Sequence, residues 1–290
     1  MTTPRAEDQD VARIEKAVAA VRSWSSQYSN DPLVPQPGSL MAKDDRVYPA
    51  LPLSSVTWFA ITSALDHLDL GADMLQADGV RVLRPHAFYS LTRSALLGAA
   101  QALWLLTGND EQRAIRSLLI VEDEATLQRK HLRAYLQDET LAADVSAEFP
   151  EKLAELDTKL TRRIDDARAL LRARGHKERF QSTAMIADVA KFAAPNDRWL
   201  RRAIMDQWMR GSAAAHSRMW VMHVVKTEDE PAPGGGVVRR MTSSVSDIAQ
   251  AYGAPTLLLS QALERWHARS ARRASPLITT PLPHVRPPVH

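Results

Sequence analysis

Cysteine is absent from this sequence of 290 residues. Without it the chain forms no disulfide bond, and zinc sites built on thiolate ligands are excluded. The lack of cysteine is typical of proteins from reducing compartments, and the first ten residues are polar and acidic, unlike a secretory signal. We therefore expect a cytoplasmic protein.

Long hydrophobic runs are also absent. One of the longest, Leu96 to Leu106, is interrupted by Gly98 and Gln101 and is shorter than the roughly 18 apolar residues of a membrane-spanning helix. The sequence contains no glycine-rich phosphate loop after a strand, no G-x-S-x-G motif and no H-E-x-x-H motif. From these absences we expect no membrane association, no cofactor and no metal ion.

Helical periodicity is what the sequence does contain. Apolar residues recur in steps of three and four over most of the chain, which predicts an all-α bundle of about seven or eight helices. The β-branched residues of Val221–Lys226 and Val237–Met241 flank a loop with three glycines, so a small β-hairpin near 221–241 is the alternative to a simple loop there. The helices are predicted over about residues 8–28, 54–77, 85–107, 109–137, 149–174, 183–194 and 246–272, with one more that Asn196 caps and that carries Trp199 to Trp220.

Three segments are expected along the chain. Residues 1–52 hold an N-terminal helix and a proline-rich connection, and residues 53–272 form the bundle domain. Residues 273–290 are predicted to be a disordered, basic and proline-rich tail. No acidic residue follows Glu264, so this end of the chain either attracts nucleic acid or acidic partners or is a solvated helix end with its tail.

The helix predicted over 85–107 is apolar on nearly all sides, which places it in the middle of the bundle. Arg93 lies within it, and a buried arginine without a carboxylate partner costs several kcal/mol. We therefore expect an acidic partner for Arg93. The candidates are Glu122, Asp123 and Glu124, or Asp66, Asp69 and Asp73.

The segment from Arg210 to His216 carries the most suggestive motif. Arg210 and His216 are separated by five residues, and this spacing resembles the R-x(4–6)-H motif of the HEPN superfamily. The resemblance implies a helical bundle, often dimeric, that binds RNA. In many members it implies a metal-independent endoribonuclease in phage defence or toxin–antitoxin systems. In such an enzyme Arg210 would neutralise a phosphate, and His216 would act as general acid or base.

Two further features bear on this resemblance. Residues 65–68 and 89–96, with a later Ser212 and His216 pair, are similar to uncharacterised bacterial helical proteins of the same build. Six residues of an ideal helix turn by about 600°, so the two catalytic side chains would point roughly 120° apart. We therefore expect the helix to break at Gly211, with Ser212 as the N-cap of a new helical segment. Gly211 itself departs from the family, which usually has a polar residue there.

A DNA-binding regulator is the alternative function. Residues 246–270 resemble a helix-turn-helix, with Gly253 in the turn and Leu259 in the shared core. The second helix, with Thr256, Gln261 and Arg265, would enter the major groove. A single terminal helix kinked by Gly253 and Pro255 fits the same residues.

A third hypothesis is a non-catalytic helical interaction protein. In it the residues of both motifs serve packing and surface. This hypothesis predicts that His216 is buried against apolar neighbours, far from Arg210.

Overall fold

The computed structural model describes residues 6–28, 34–76, 84–136, 148–223, 227–241 and 243–271. Within them the chain forms nine α-helices and one antiparallel pair of strands, which confirms the predicted all-α bundle. Among these helices, none is both long and apolar enough to cross a membrane. The tail predicted over 273–290 lies outside the described residues. The helices are α1 (Ala6–Tyr28), α2 (Leu40–Asp44), α3 (Leu53–Gln76), α4 (Pro85–Leu106), α5 (Asp110–Leu136), α6 (Glu148–Ala173), α7 (Ser182–Ala193), α8 (Arg198–Ala215) and α9 (Val245–Ser270).

Helix ends follow local sequence signals. The Asn109 side chain accepts the backbone N–H of Gln112, and the Gln112 side chain accepts that of Asn109, so the predicted cap of α5 is confirmed. Gly175, two residues after the end of α6, stops this helix by adopting a left-handed φ of 71°, as its position predicts. The cap of α8 is Asp197 rather than Asn196, because the Asp197 carboxylate accepts two backbone N–H groups of the first turn.

Helix α4 lies at the centre of the bundle, as its apolar surface predicts. It packs against α3, α9, α8 and α7. Small residues allow this close packing: a Cβ atom on Gly98 would lie 2.7 Å from the backbone oxygen of Ala60 in α3. Substituting Gly98 would therefore force the α3 and α4 backbones apart.

Helix α9 runs unbroken through Gly253 and Pro255 and is also central, packing against α4, α1 and α3. The helix-turn-helix hypothesis is therefore wrong. Thr256, one of the residues expected to contact DNA, is buried in the bundle, whereas Gln261 is half-buried and Arg265 is exposed. Buried apolar side chains on the same helix contribute about 1.5–3 kcal/mol each, which outweighs the roughly 3 kcal/mol cost of one internal proline.

Two of the residues expected to contact DNA, Gln261 and Arg265, instead contact α7. The Gln261 amide donates to the backbone oxygen of Ala193, and the Arg265 guanidinium lies 4.4 Å from the centre of the Phe192 ring. These contacts join α9 to α7 and account for a basic residue on this face without a nucleic acid.

The N-terminal segment shares the core of the bundle. Helix α1 packs against α9 and α3, and it buries Val18 and Val21 in the same apolar cluster as those helices. The Tyr28 hydroxyl lies 2.7 Å from Nε2 of His267 in the last turns of α9. The first and last helices of the described chain are therefore in direct contact.

A buried ionic cluster joins three elements distant in sequence. Asp44, in α2, accepts a hydrogen bond of 3.0 Å from Nε of Arg113 in α5 and another from Arg269 near the end of α9. The Asp44 and Arg113 side chains are 7% and 5% exposed. Because the Asp44–Arg113 pair is shielded from water, loss of Asp44 leaves the buried Arg113 with only the exposed Asp110, and it removes the carboxylate that pairs with Arg269.

Two smaller structures complete the fold. Residues 125–132 of α5 pack against residues 153–164 of α6 in a separate apolar cluster. The ion pair of Arg129 with Asp157 also joins these two helices. Strands β1 (Thr227–Pro231) and β2 (Val237–Met241) form the hairpin that the sequence suggested. Its first strand lies later than expected, because residues 219–223 form a 3₁₀ turn and the acidic segment from Thr227 pairs with β2.

Candidate functional site

Arg210, the cation of the predicted motif, is held by two carboxylates. Its Nε atom lies 2.7 Å from Asp206 on the same helix, and its Nη1 atom lies 3.2 Å from Asp247 at the start of α9. The Arg210 side chain is 17% exposed. Its charge is thus neutralised within the protein, and Arg210 links α8 to α9.

The break expected at Gly211 does not occur. Helix α8 continues from Arg198 to Ala215, so Ser212 is not an N-cap and the 120° separation of Arg210 and His216 stands. Gly211 serves a different purpose, because a Cβ atom there would lie 2.5 Å from Cβ of Arg93 in α4. The glycine permits close contact of α4 with α8, and this contact places Arg93 against α8.

The Arg93 guanidinium rests on two side chains of α8. Its Nε atom donates a hydrogen bond of 2.9 Å to the Ser212 hydroxyl, and its central carbon lies 4.5 Å from the centre of the Trp208 ring. Burial lowers the pKa of Arg93. An arginine titrates so far above neutrality that the group nevertheless remains charged.

The acidic partner expected for Arg93 is therefore wrong. Of the candidates, Glu122 pairs with Arg168, and Asp69 and Asp73 pair with Arg22. An indole face attracts a cation and a hydroxyl accepts one hydrogen bond, so Trp208 and Ser212 partly replace a carboxylate. Unlike a carboxylate, they leave the positive charge uncompensated.

This leaves hydrogen-bond donors available at Arg93. A guanidinium carries five N–H donors, and Ser212 uses the one at Nε. Within the described part of the chain, no acceptor binds the terminal nitrogens of Arg93. Because the planar group is already fixed, it is preorganised for the two parallel hydrogen bonds that phosphate or carboxylate oxygens accept.

His216 lies one helical turn beyond Ser212 and is exposed. Trp208, Ser212 and His216 are each four residues apart, so they follow one ridge of α8. His216 is the C-cap of that helix. The interaction-protein hypothesis predicted a buried His216, and that part of it is wrong because the imidazole lies at an exposed helix end.

The helix stops after His216 through a Schellman motif. The backbone N–H groups of Ser217 and Arg218 donate to the oxygens of Ala214 and Ala213, at 3.1 and 2.8 Å. Ser217 takes the left-handed position with φ of 53°, where glycine is usual. Backbone strain of this kind is concentrated at functional sites in proteins.

Tyr89 lies in α4, four residues before Arg93, and is buried. Burial raises the pKa of its hydroxyl to about 12, and its charged neighbours are Asp247, Arg210 and Asp206. The hydroxyl therefore stays protonated near neutrality and carries no charge beside Arg210.

Arg93 is a residue of the candidate site to which the sequence analysis gave a buried position but no role. Apart from His86, Arg93 is the only residue of α4 with an acidic or basic side chain. Because Arg93 is surrounded by apolar residues in the sequence, its burial was expected to be costly. The sequence did not reveal that Ser212 and Trp208 would be its partners. The contact joins the two segments, 89–96 and Ser212 to His216, on which the wider resemblance depends.

Two further observations concern the described residues and the sequence as a whole. No three histidine, aspartate or glutamate side chains in that part of the chain lie close enough together to hold a metal ion. Comparison with protein-family models, with curated proteins and with solved structures finds no match to this chain.

Proposed function

We propose that the protein binds RNA at the site formed by Arg93, Ser212 and His216 and cleaves its backbone without a metal ion. The observation that carries the proposal is the Arg93 guanidinium, which is fixed by Ser212 and Trp208 and lacks a carboxylate. A half-buried, unpaired cation attracts an anion more strongly than a solvated one does. The proposal transfers the phosphate-binding role from Arg210 to Arg93.

The three side chains have distinct roles in the proposed reaction. Arg93 binds the non-bridging oxygens of one phosphodiester, and the Ser212 hydroxyl holds Arg93 in place. His216 removes the proton from the ribose 2′-hydroxyl, whose oxygen then attacks phosphorus. The bond to the 5′-oxygen breaks, this oxygen takes the proton back from the imidazolium, and the product is a 2′,3′-cyclic phosphate.

The resemblance of the 210–216 segment to the HEPN superfamily supports RNA as the substrate and a defence or toxin system as the context.

The same resemblance favours a homodimer. Exposed Met219 and Trp220 follow His216, and Trp220 lines a groove of about 570 Å³ between α7 and α8 with Met209. Met209, Met219 and Trp220 are all exposed, and a two-fold related copy would cover them with the same apolar side chains. We infer that a second copy covers this groove.

A fluorescent single-stranded RNA tests the proposal through binding and cleavage. Arg93→Gln should weaken binding about tenfold or more, because a charge-assisted pair with phosphate is lost. His216→Ala should bind RNA normally and cleave none. Arg210→Gln should keep wild-type binding, because in this proposal Arg93 binds the phosphate. The R-x(4–6)-H motif assigns the phosphate to Arg210 and predicts weaker binding by this variant.

Controls separate these effects from unfolding. Arg172→Gln removes an exposed arginine of α6 and should change neither activity. DNA of the same sequence should bind but stay intact, because it lacks the 2′-hydroxyl. Wild-type binding by a folded Arg93→Gln protein would overturn the site. In light scattering, a mass of 32.2 kDa rather than twice that would overturn the dimer.

A further inference from the structure

Arg116, a second arginine without a carboxylate bound to it, lines a cavity beside the end of α4. The cavity has a volume of about 760 Å³ and lies between the end of α4, the first turns of α5, and α7 with the segment before it. Small-molecule sites in proteins usually fall within about 300–1,000 Å³. The cavity therefore has room for a ligand of ordinary metabolite size.

Arg116 supplies the charge of this cavity. Its Nη1 atom donates to the backbone oxygens of Trp104 and Thr107, both at 2.8 Å, and so caps the end of α4. Burial lowers the pKa of Arg116, and Asp188 is the acidic group near enough to oppose that shift. Among the described residues, none accepts a hydrogen bond from its Nε or Nη2 atom, so three N–H donors on two nitrogen atoms remain for a ligand.

Aromatic rings and a second unsatisfied donor adjoin Arg116. The Arg116 guanidinium carbon lies 5.0 Å from the centre of the Trp104 ring, and the Phe180 ring centre lies 5.8 Å from that of Trp104. Trp104 is 7% exposed, and its Nε1–H finds no acceptor in the described part of the chain. A buried N–H group without an acceptor costs about 1–3 kcal/mol. The nitrogen itself is buried, so a small shift of the indole ring is needed for a ligand oxygen to reach it and remove that cost.

The charged side chains that line the cavity balance one another, two arginines against two carboxylates. Arg179 and His176 line it, as do Glu178 and Asp188, and Nε2 of His176 also lacks a partner. We propose that this cavity binds a small anion joined to a flat aromatic ring, with Arg116 and the Trp104 N–H on the anion and the Trp104 and Phe180 rings against the ring. Aromatic carboxylates and mononucleotides share this chemistry.

Calorimetric titration with two charged probes and their neutral analogues tests the inference on the full chain. The probes are 2-naphthoate against 2-naphthalenemethanol, and AMP against adenosine. At least one charged probe should bind the wild type with a Kd below 1 mM, and its neutral analogue about tenfold or more weakly. Whichever charged probe binds identifies carboxylate or phosphate as the anion.

Variants locate the binding. Arg116→Gln should weaken the bound probe about tenfold or more, and Trp104→Phe, which keeps an aromatic ring but removes the N–H, should weaken it severalfold. Arg129→Gln, on the same helix but already paired with Asp157, should have no effect. Arg93→Gln should have no effect either, which separates this cavity from the proposed RNA site.

Two results would overturn the inference. One is the absence of binding by both charged probes. The other is wild-type affinity in both Arg116→Gln and Trp104→Phe, each shown by circular dichroism to be folded. If Arg116→Gln does not fold because α4 loses its cap, Trp104→Phe alone decides.

Discussion

Ser217 shows how a single residue can carry backbone strain at a site. Its φ of 53° is accessible to glycine without cost, whereas a side chain makes it unfavourable. Gly175 occupies the equivalent position at the end of α6, where its N–H and that of the next residue complete the same motif. The two helix ends are therefore a natural pair for comparison.

We predict that Ser217→Gly raises the free energy of unfolding by about 0.5–1 kcal/mol, because the left-handed conformation is relieved. The reverse change, Gly175→Ser, should lower it by a similar amount. Urea unfolding followed by circular dichroism measures both. A destabilised Ser217→Gly protein would contradict the assignment of strain to this residue.

The identity of the Arg93 partners could not be read from the sequence. The apolar surroundings of Arg93 in α4 predicted its burial correctly, because burial follows from local periodicity. The hydrogen bond to Ser212 joins residues 119 apart. Such a contact depends on which helices become neighbours, and one sequence does not specify that.

At the scale of elements, glycines were harder to interpret than the helices that contain them. Gly211 was expected to break α8 and Gly253 to form a turn, yet both lie within continuous helices. Their surroundings differ. Gly211 contacts the Arg93 side chain and the Tyr89 backbone of α4, whereas a Cβ atom on Gly253 would meet nothing within 4 Å.

We therefore predict opposite effects for two identical substitutions. Gly253→Ala should raise the free energy of unfolding by about 0.5–1 kcal/mol, since alanine favours the helix and has space. Gly211→Ala should lower it by about 1–3 kcal/mol, because α4 and α8 must separate. Thermal or urea unfolding measures both. Destabilisation by Gly253→Ala would contradict the open space that the structure gives a Cβ atom at this position.

For the whole molecule, the sequence predicted the helices well and their arrangement only in part. Amphipathic periodicity located the long helices to within a few residues, and α4 was correctly placed at the centre. The central position of α9 was missed, because its Gly253 and Pro255 suggested an interruption. Tertiary burial of its apolar residues outweighs those local signals.

The Asp44 cluster is a feature of the whole molecule, since it joins α2, α5 and α9. Asp44→Ala leaves Arg113 and Arg269 buried without their shared carboxylate. We predict that it lowers the free energy of unfolding by about 3–5 kcal/mol. Glu148→Ala breaks the exposed pair with Lys152 and should cost less than about 1 kcal/mol. Equal effects of the two changes in urea unfolding would contradict the importance of burial.

The last turns of α9 are held by residues from the first fifty of the chain. His267 meets Tyr28, Arg269 meets Asp44, and the Ser270 backbone oxygen accepts the N–H of Gln36 at 2.9 Å. On the ribosome, the N-terminal segment therefore emerges long before its binding surface exists. The contacts of α1 and α2 with α9 can form only when synthesis has passed residue 270, so nascent chains stalled earlier should expose the α9-facing sides of these helices to proteases.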